Sequence, residues 1–62
     1  MKNVKRLLML EQALAENDAN LLAERRLSGQ HELMLARVEI MKSIIAVQGE
    51  IIEEMSEYKE AA

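Results

Sequence analysis

Apolar side chains occupy more than half of a helix surface between Leu33 and Tyr58, at spacings of three and four residues. One stripe contains Ile40, Ile44, Val47, Ile51, Met55 and Tyr58, and a flanking stripe contains Val38, Ile45 and Ile52 at intervals of seven. One short partner helix covers only one such stripe. The pattern therefore predicts a helix that needs two neighbours, and hence an assembly of helices.

The rest of the sequence also favours helices, because it lacks proline and is dominated by residues with strong helix propensity. The best candidate for a break is Leu27-Ser28-Gly29-Gln30, where Gly29 could end one helix in the left-handed conformation and Ser28 could cap the next. Gly49 has periodic apolar residues on both sides and is predicted to lie inside the second helix. We expect one domain over residues 1–62, with helices at about 3–27 and 30–60 and a turn at 28–30.

The charges at the two ends of the chain predict that it folds back on itself. The first helix begins basic and the second ends acidic, which is opposite to what the helix dipole favours. In a hairpin, residue i lies across from about residue 58 minus i, so Lys5 and Arg6 would lie beside Glu53 and Glu54. The predicted fold class is all-α: an antiparallel two-helix hairpin that completes a four-helix bundle as a homodimer or with a helical partner.

Charged residues interrupt the apolar faces of both predicted helices. Glu11, Asp18 and Arg25 fall at intervals of seven on the face that also carries Val4, Leu7, Leu8, Leu14, Leu21 and Leu22, and Arg37 does the same in the second helix. In the hairpin register, Asp18 lies about one turn from Arg37. We expect an Asp18–Arg37 structural ion pair that is partly solvated and helps to set the register.

The size of the chain indicates that its stability depends on association. A domain of 62 residues buries too little surface to be more than marginally stable. Small domains usually add disulfides, a structural metal or a partner, but this chain has no cysteine and only one histidine, His31. Association with itself or with a larger helical protein is the remaining route, and a reducing, cytoplasmic compartment fits the lack of cysteine.

The residues that most chemical functions require are missing. We expect that the protein is not an enzyme. Apart from Ser28 near His31, no nucleophilic side chain is close in the sequence to a suitable acid or base. No cofactor, metal or small molecule is expected, since the chain has neither a glycine-rich phosphate loop nor a Glu-x-x-His pair. No apolar run is long enough to cross a membrane. The net charge of −3 and the scattered basic residues argue against nucleic acid, although an RNA-binding hairpin dimer stays an alternative.

A set of residues spread from Leu10 to Ile52 resembles the small co-chaperones of type III secretion needle subunits. The matching features are Leu10-Glu11-x-Ala13-Leu14, the basic pair Arg25-Arg26, Gly29, Leu35, Arg37 and the run Ile44-Ile45-Ala46-Val47. In that family a helical hairpin joins a second, repeat-containing chaperone, and the two hold the needle subunit unpolymerised in the bacterial cytoplasm. The resemblance implies that the wide apolar face of the second helix binds the larger chaperone.

These observations predict a small protein–protein interaction module that acts through its second helix, with a chaperone-like role as one form of this function. The predicted interface consists of Ile40, Ile44, Ile45, Val47, Ile51, Ile52 and Met55, and Met34 and Met41 add adaptable contacts. A small phage or plasmid regulator that binds and inhibits a host protein is a second interpretation.

Overall fold

The chain forms two α-helices that contact each other. The computed structural model describes the backbone of residues 2–61 and the side chains of residues 2–56. Helix α1 spans Lys2–Ala23 and helix α2 spans Leu27–Ala61. The all-helical prediction and the hairpin-like pairing of two helices are confirmed. The side chain of Tyr58, the last member of the predicted stripe, lies outside the described residues.

Polar contacts near the open end of the hairpin show that the two helices run antiparallel. Asn3 Nδ2 donates to Glu54 Oε1 at 2.7 Å, and Arg6 Nη1 lies 3.5 Å from Glu50 Oε2. The register is close to the expected one, but Arg6 meets Glu50 rather than Glu53 or Glu54. Because α1 starts at its basic end beside acidic residues of α2, the pairing compensates for the unfavourable helix dipoles. Both side chains of the Arg6–Glu50 pair are half exposed, so this contribution is small.

The contact between the helices follows one line of residues on each helix, which we call the inner seams. The inner seam of α1 contains Asn3, Leu7, Leu10, Leu14, Asn17 and Leu21, and that of α2 contains Leu33, Arg37, Ile40, Ile44, Val47 and Ile51. All of these side chains are buried or half-buried. Their alternating spacings of three and four are those of packed helix pairs. Val47 is the centre of this core, since only 2% of it is exposed.

A buried amide joins the two helices near the closed end of the hairpin. Asn17 is 9% exposed, and its Nδ2 donates a 2.9 Å hydrogen bond to the backbone oxygen of Leu33. Within the described side chains, no buried nitrogen or oxygen atom lacks a hydrogen-bond partner. A buried polar side chain at such a seam position favours the one register in which its hydrogen bond is made. Asn17 therefore helps to specify how α1 sits against α2.

The turn lies earlier than predicted. It consists of residues 24–26, whereas the sequence pattern placed it at 28–30, and both Ser28 and Gly29 lie inside α2. Among the described residues none has a positive φ, so the prediction that Gly29 ends a helix in the left-handed conformation is wrong. The prediction that Ser28 caps α2 is also wrong, because α2 has already begun at Leu27.

Side chains from the turn itself and from the start of α2 hold this turn together. The Glu24 carboxylate accepts the backbone N–H of Arg26 at 2.9 Å, at the amino end of α2, where a negative charge is favourable. Gln30 Nε2 donates to the Glu24 backbone oxygen, also at 2.9 Å, and so satisfies a carbonyl at the end of α1. A Cβ atom on Gly29 would lie 2.5 Å from the Glu24 carboxyl carbon. The glycine therefore provides room for Glu24 rather than a chain reversal.

Candidate protein interface

Helix α2 carries a second line of apolar residues that the hairpin leaves uncovered, which we call its outer seam. It contains Met34, Val38, Met41, Ile45, Gln48, Ile52 and Met55, and all seven are exposed. The first six positions each follow an inner-seam residue by one. Met55 continues the same alternating spacing of four and three residues. Successive residues of an α-helix are rotated by about 100°, so the two seams face directions roughly a right angle apart. This is the geometry of a helix that has two neighbours.

Helix α1 has an outer seam as well, which contains Val4, Leu8, Glu11, Ala15, Asp18 and Leu22. The helices are antiparallel, so a step of one residue forward from the inner seam turns toward the same side of the hairpin on both. The two outer seams therefore form one continuous surface, which we call the apolar side. Leu22 is 90% exposed and Leu8 is 57% exposed on this side.

The opposite surface of the hairpin, which we call the polar side, has a different composition. It is formed by the residues that precede inner-seam positions by one and by one further residue of each helix at the same spacing. These are Lys2, Arg6, Met9, Ala13, Glu16, Asn20 and Ala23 from α1, and Glu32, Ala36, Glu39, Ser43, Ala46, Glu50 and Glu53 from α2. Met9 is the large apolar residue in this set. The contrast makes the whole hairpin amphipathic, with one side suited to water and one suited to a partner.

The structure brings Asp18 and Arg37 together at the border between the inner seam and the apolar side. Arg37 Nε lies 3.0 Å from Asp18 Oδ1, and the side chains are 43% and 41% exposed. Arg37 Nη1 also contacts the sulfur of Met41 at 3.3 Å, so the guanidinium lies against the outer seam of α2. The two charges of the pair compensate each other beside this apolar surface. A partly exposed pair of this kind contributes little stability.

The residues predicted as one interface divide into two groups. Ile40, Ile44 and Ile51 are half-buried and Val47 is fully buried, all against α1. These four side chains lie in the interior of the hairpin rather than on its exposed surface. Ile45, Ile52 and Met55 remain exposed, by 65%, 63% and 61%. The inner and outer seams are both apolar, so their spacing alone could not decide which of them faces α1.

Helix α1 adds residues to the apolar side that sequence reasoning placed in the hairpin interior. Val4, Leu8 and Leu22 are exposed, whereas Leu10 and Asn17 take interior positions. The sequence signal that could have shown which face of α1 is interior is the spacing of seven between the charged residues Glu11, Asp18 and Arg25. A seam with three charged positions is a poor interior for an isolated pair of helices, so the uncharged seam one residue earlier packs against α2.

An open cleft of about 630 Å³ lies on the polar side where the chain turns. It is lined by Asn20, Ala23, Glu24, Arg26, Gly29, Glu32, Leu33 and Ala36. The pKa of Glu24 is lowered, chiefly by the hydrogen bond from the Arg26 backbone N–H and then by that from its side chain, and the pKa of Arg26 is raised by the same carboxylate. Glu24 and Arg26 satisfy each other, so the cleft is a consequence of how the turn is held together.

Other kinds of site are not found in the part of the chain that the structure describes. Its His, Asp and Glu side chains form no group of three or more that could hold a metal ion. Neither described helix contains a stretch that is both long and apolar enough to span a membrane. No protein-family model matches the chain, and no curated protein or solved structure is significantly similar to it. The apolar side is therefore the feature on which a functional argument depends.

Proposed function

We propose that this protein is a non-enzymatic protein–protein interaction module that binds a helical partner through its apolar side and so completes a four-helix bundle. The observation that carries this proposal is the outer seam of α2, where six of seven exposed positions are apolar and follow heptad spacing. Heptad spacing is the pattern by which helices recognise other helices. A surface of this regularity has no role in an isolated hairpin, because exposing apolar area to water costs free energy and no contact offsets that cost.

The exposed area of the chain supports the same proposal. A folded monomer of 7.1 kDa is expected to expose about 4,100 Å², whereas this chain exposes 5339 Å². The excess of about 1,200 Å² is larger than the roughly 800 Å² that each partner buries in a protein–protein interface of standard size. The radius of gyration is 15.4 Å, against about 11 Å for a compact domain of this length, because the two long helices pack only against each other.

The chemistry of the apolar side fits a chaperone-like or adaptor role. Three of its large residues, Met34, Met41 and Met55, are flexible and polarisable, and such side chains adapt to partners of different shape. The β-branched residues Val38, Ile45 and Ile52 between them are stiff and give the seam its register. With a larger helical partner, as the resemblance to type III secretion co-chaperones implies, the polar side of the hairpin would stay in water.

Site-specific photo-crosslinking in the cells that produce the protein tests this proposal. A benzophenone amino acid replaces Ile45 on the apolar side or, as a matched control, Ala46, the next residue, which is exposed on the polar side. We expect a covalent adduct of one defined mass from position 45, at least several-fold weaker from position 46, and lost when Ile52→Asp is added. Equal labelling from both positions, or none, would contradict the proposal. So would an adduct to nucleic acid that disappears at moderate salt.

A further inference from the structure

The geometry points to a second copy of this chain as the occupant of the apolar side, with the two α2 helices packed antiparallel across a two-fold axis perpendicular to them. This inference rests on the proposed function, since it names the partner of the same surface. It makes the interface isologous, in which the same patch is used by both copies.

The outer seam of α2 is suited to pairing with a reversed copy of itself. It alternates flexible residues with β-branched ones from one end to the other, so a reversed copy shifted by one seam position sets a flexible residue opposite each β-branched one. An antiparallel pair centred between Met41 and Ile45 brings together Met34 and Ile52, Val38 and Gln48, and Met41 and Ile45, each from opposite copies. Every layer then contains one β-branched side chain and one long, unbranched side chain. Volumes are therefore matched in the layers between Met34 and Ile52, as close packing requires.

The same axis also sets α1 of one copy against α1 of the other. The contacts Asp18–Arg37 and Arg6–Glu50 show that the middle of the α2 seam lies level with the middle of α1. An axis at this height pairs Val4 of one copy with Leu22 of the other, so two exposed apolar residues cover each other. Glu11 then lies opposite Ala15, whose small side chain leaves the carboxylate room to reach water, and the two Glu11 side chains of the dimer are kept apart.

The alternative two-fold axis, parallel to the helices, gives a poorer match of charge and polarity. It would set α1 of each copy against α2 of the other at the same height. Glu11 would then face Ile45, and Asp18 would face Val38. Burying a carboxylate against β-branched side chains without a new partner is costly. The perpendicular axis keeps both carboxylates away from the outer seam of α2, which packs against its own copy. Asp18 then lies opposite Leu8 of the second copy and keeps its ion pair with Arg37.

The exposed area agrees with a dimer of this kind. The excess surface of about 1,200 Å² belongs to each copy, and both copies would bury theirs in one contact. No additional protein is needed to cover the apolar side, and both polar sides stay in water. A third chain is not required, because each helix then has two neighbours, one from its own hairpin and one from the second copy.

Molecular mass and directed disulfides test the inference together. The chain contains no cysteine, so the double variant Met34→Cys, Ile52→Cys introduces the only thiols. They lie too far apart along α2 to join within one copy. We expect light scattering to give twice 7.1 kDa for the unmodified protein, and we expect mild oxidation to convert most of the variant into a covalent dimer. The double variant Ala46→Cys, Glu39→Cys, with both thiols on the polar side, is the control and should stay largely unlinked.

The outcomes separate this inference from the proposed function. A protein that is monomeric at all concentrations, while position 45 still crosslinks to a different protein in cells, would overturn the second copy but leave the interaction module in place. A monomer with no crosslink would overturn both. A mixture of the single variants Leu22→Cys and Met34→Cys that links the two kinds of copy to each other, while the Met34→Cys, Ile52→Cys variant stays unlinked, would overturn the antiparallel α2 pair in favour of the parallel axis. Ile45→Asp should weaken the dimer by on the order of a hundredfold or more, because it places two carboxylates near the axis.

Discussion

Replacing Val47 with alanine tests whether the inner seam is the core on which the hairpin depends. Val47 is 2% exposed, so Val47→Ala removes two fully buried carbon atoms. At about 0.8 kcal/mol per carbon, the transfer term is about 1.6 kcal/mol, and the cavity left behind raises the cost to about 2–3 kcal/mol. Alanine regains about 0.5 kcal/mol through its higher helix propensity. The net loss is about 2 kcal/mol, from a total of roughly 3–9 kcal/mol for a domain of this length.

Val38 provides a matched control for this prediction, because the same chemical change is made on the outer seam. Val38 is 48% exposed, so Val38→Ala removes only about half as much buried surface, worth about 0.8 kcal/mol. The gain in helix propensity offsets most of this cost, and the expected net loss is about 0.3 kcal/mol while the apolar side is uncovered. In the dimer Val38 is covered, so its substitution should become more costly as the protein concentration rises.

Urea unfolding followed by circular dichroism measures both substitutions. Each variant is compared with the unmodified protein at the lowest concentration that gives a reliable signal and again at a hundredfold higher concentration. The assignment of Val47 to the core and of Val38 to the exposed surface would be refuted if Val38→Ala cost as much as Val47→Ala at low concentration. It would also be refuted if Val47→Ala cost less than about 0.5 kcal/mol, the range of ordinary surface substitutions. Equal slopes against urea are needed for these comparisons, since a changed slope indicates a changed denatured state.

Three further predictions concern the glycines, the ion pair and the turn. Gly49→Ala should stabilise the protein by about 1 kcal/mol in urea unfolding, because a Cβ there meets no atom within 4 Å and alanine favours the helix. Gly29→Ala should gain clearly less, because its Cβ would displace the carboxylate of Glu24; an equal gain at both sites would contradict the structure of the turn. A double-mutant cycle with Asp18→Asn and Arg37→Gln should give a coupling of about 0.2–1 kcal/mol that falls with added salt, and zero coupling at low salt would mean that the pair does not form in solution. The folded-state pKa of Glu24 is lowered, so its contribution to stability is complete above the usual glutamate pKa of about 4.3 and is lost as the pH falls through the folded-state value. Glu24→Gln should therefore remove part of the acid sensitivity of the unfolding free energy, and an unchanged pH profile would argue against this role.

The position of the turn was not predictable from local residue preferences. Gly29 and Ser28 are typical of helix ends, and the segment 24–26 contains neither glycine, proline nor asparagine. The chain nevertheless turns at 24–26, because Glu24 and Gln30 satisfy the backbone groups at this point and the inner seams of the two helices meet in this register. The match between the two inner seams links residues that are far apart in the sequence, and no local pattern contains it.

The amino-acid sequence by itself determined that the chain is helical, that it folds back, and that Asp18 and Arg37 come close to each other. Helix propensity, apolar periodicity and the opposite charges of the two ends are sufficient for these conclusions. Only the tertiary structure decided which apolar residues are interior. Val47 and Ile45 belong to two seams of α2 with the same spacing and similar residues, one step apart. A rotation of the helix by about 100° exchanges them, and the choice depends on how well each seam packs against α1, where the seam through Leu7 and Leu14 is uncharged and its neighbour carries Glu11 and Asp18.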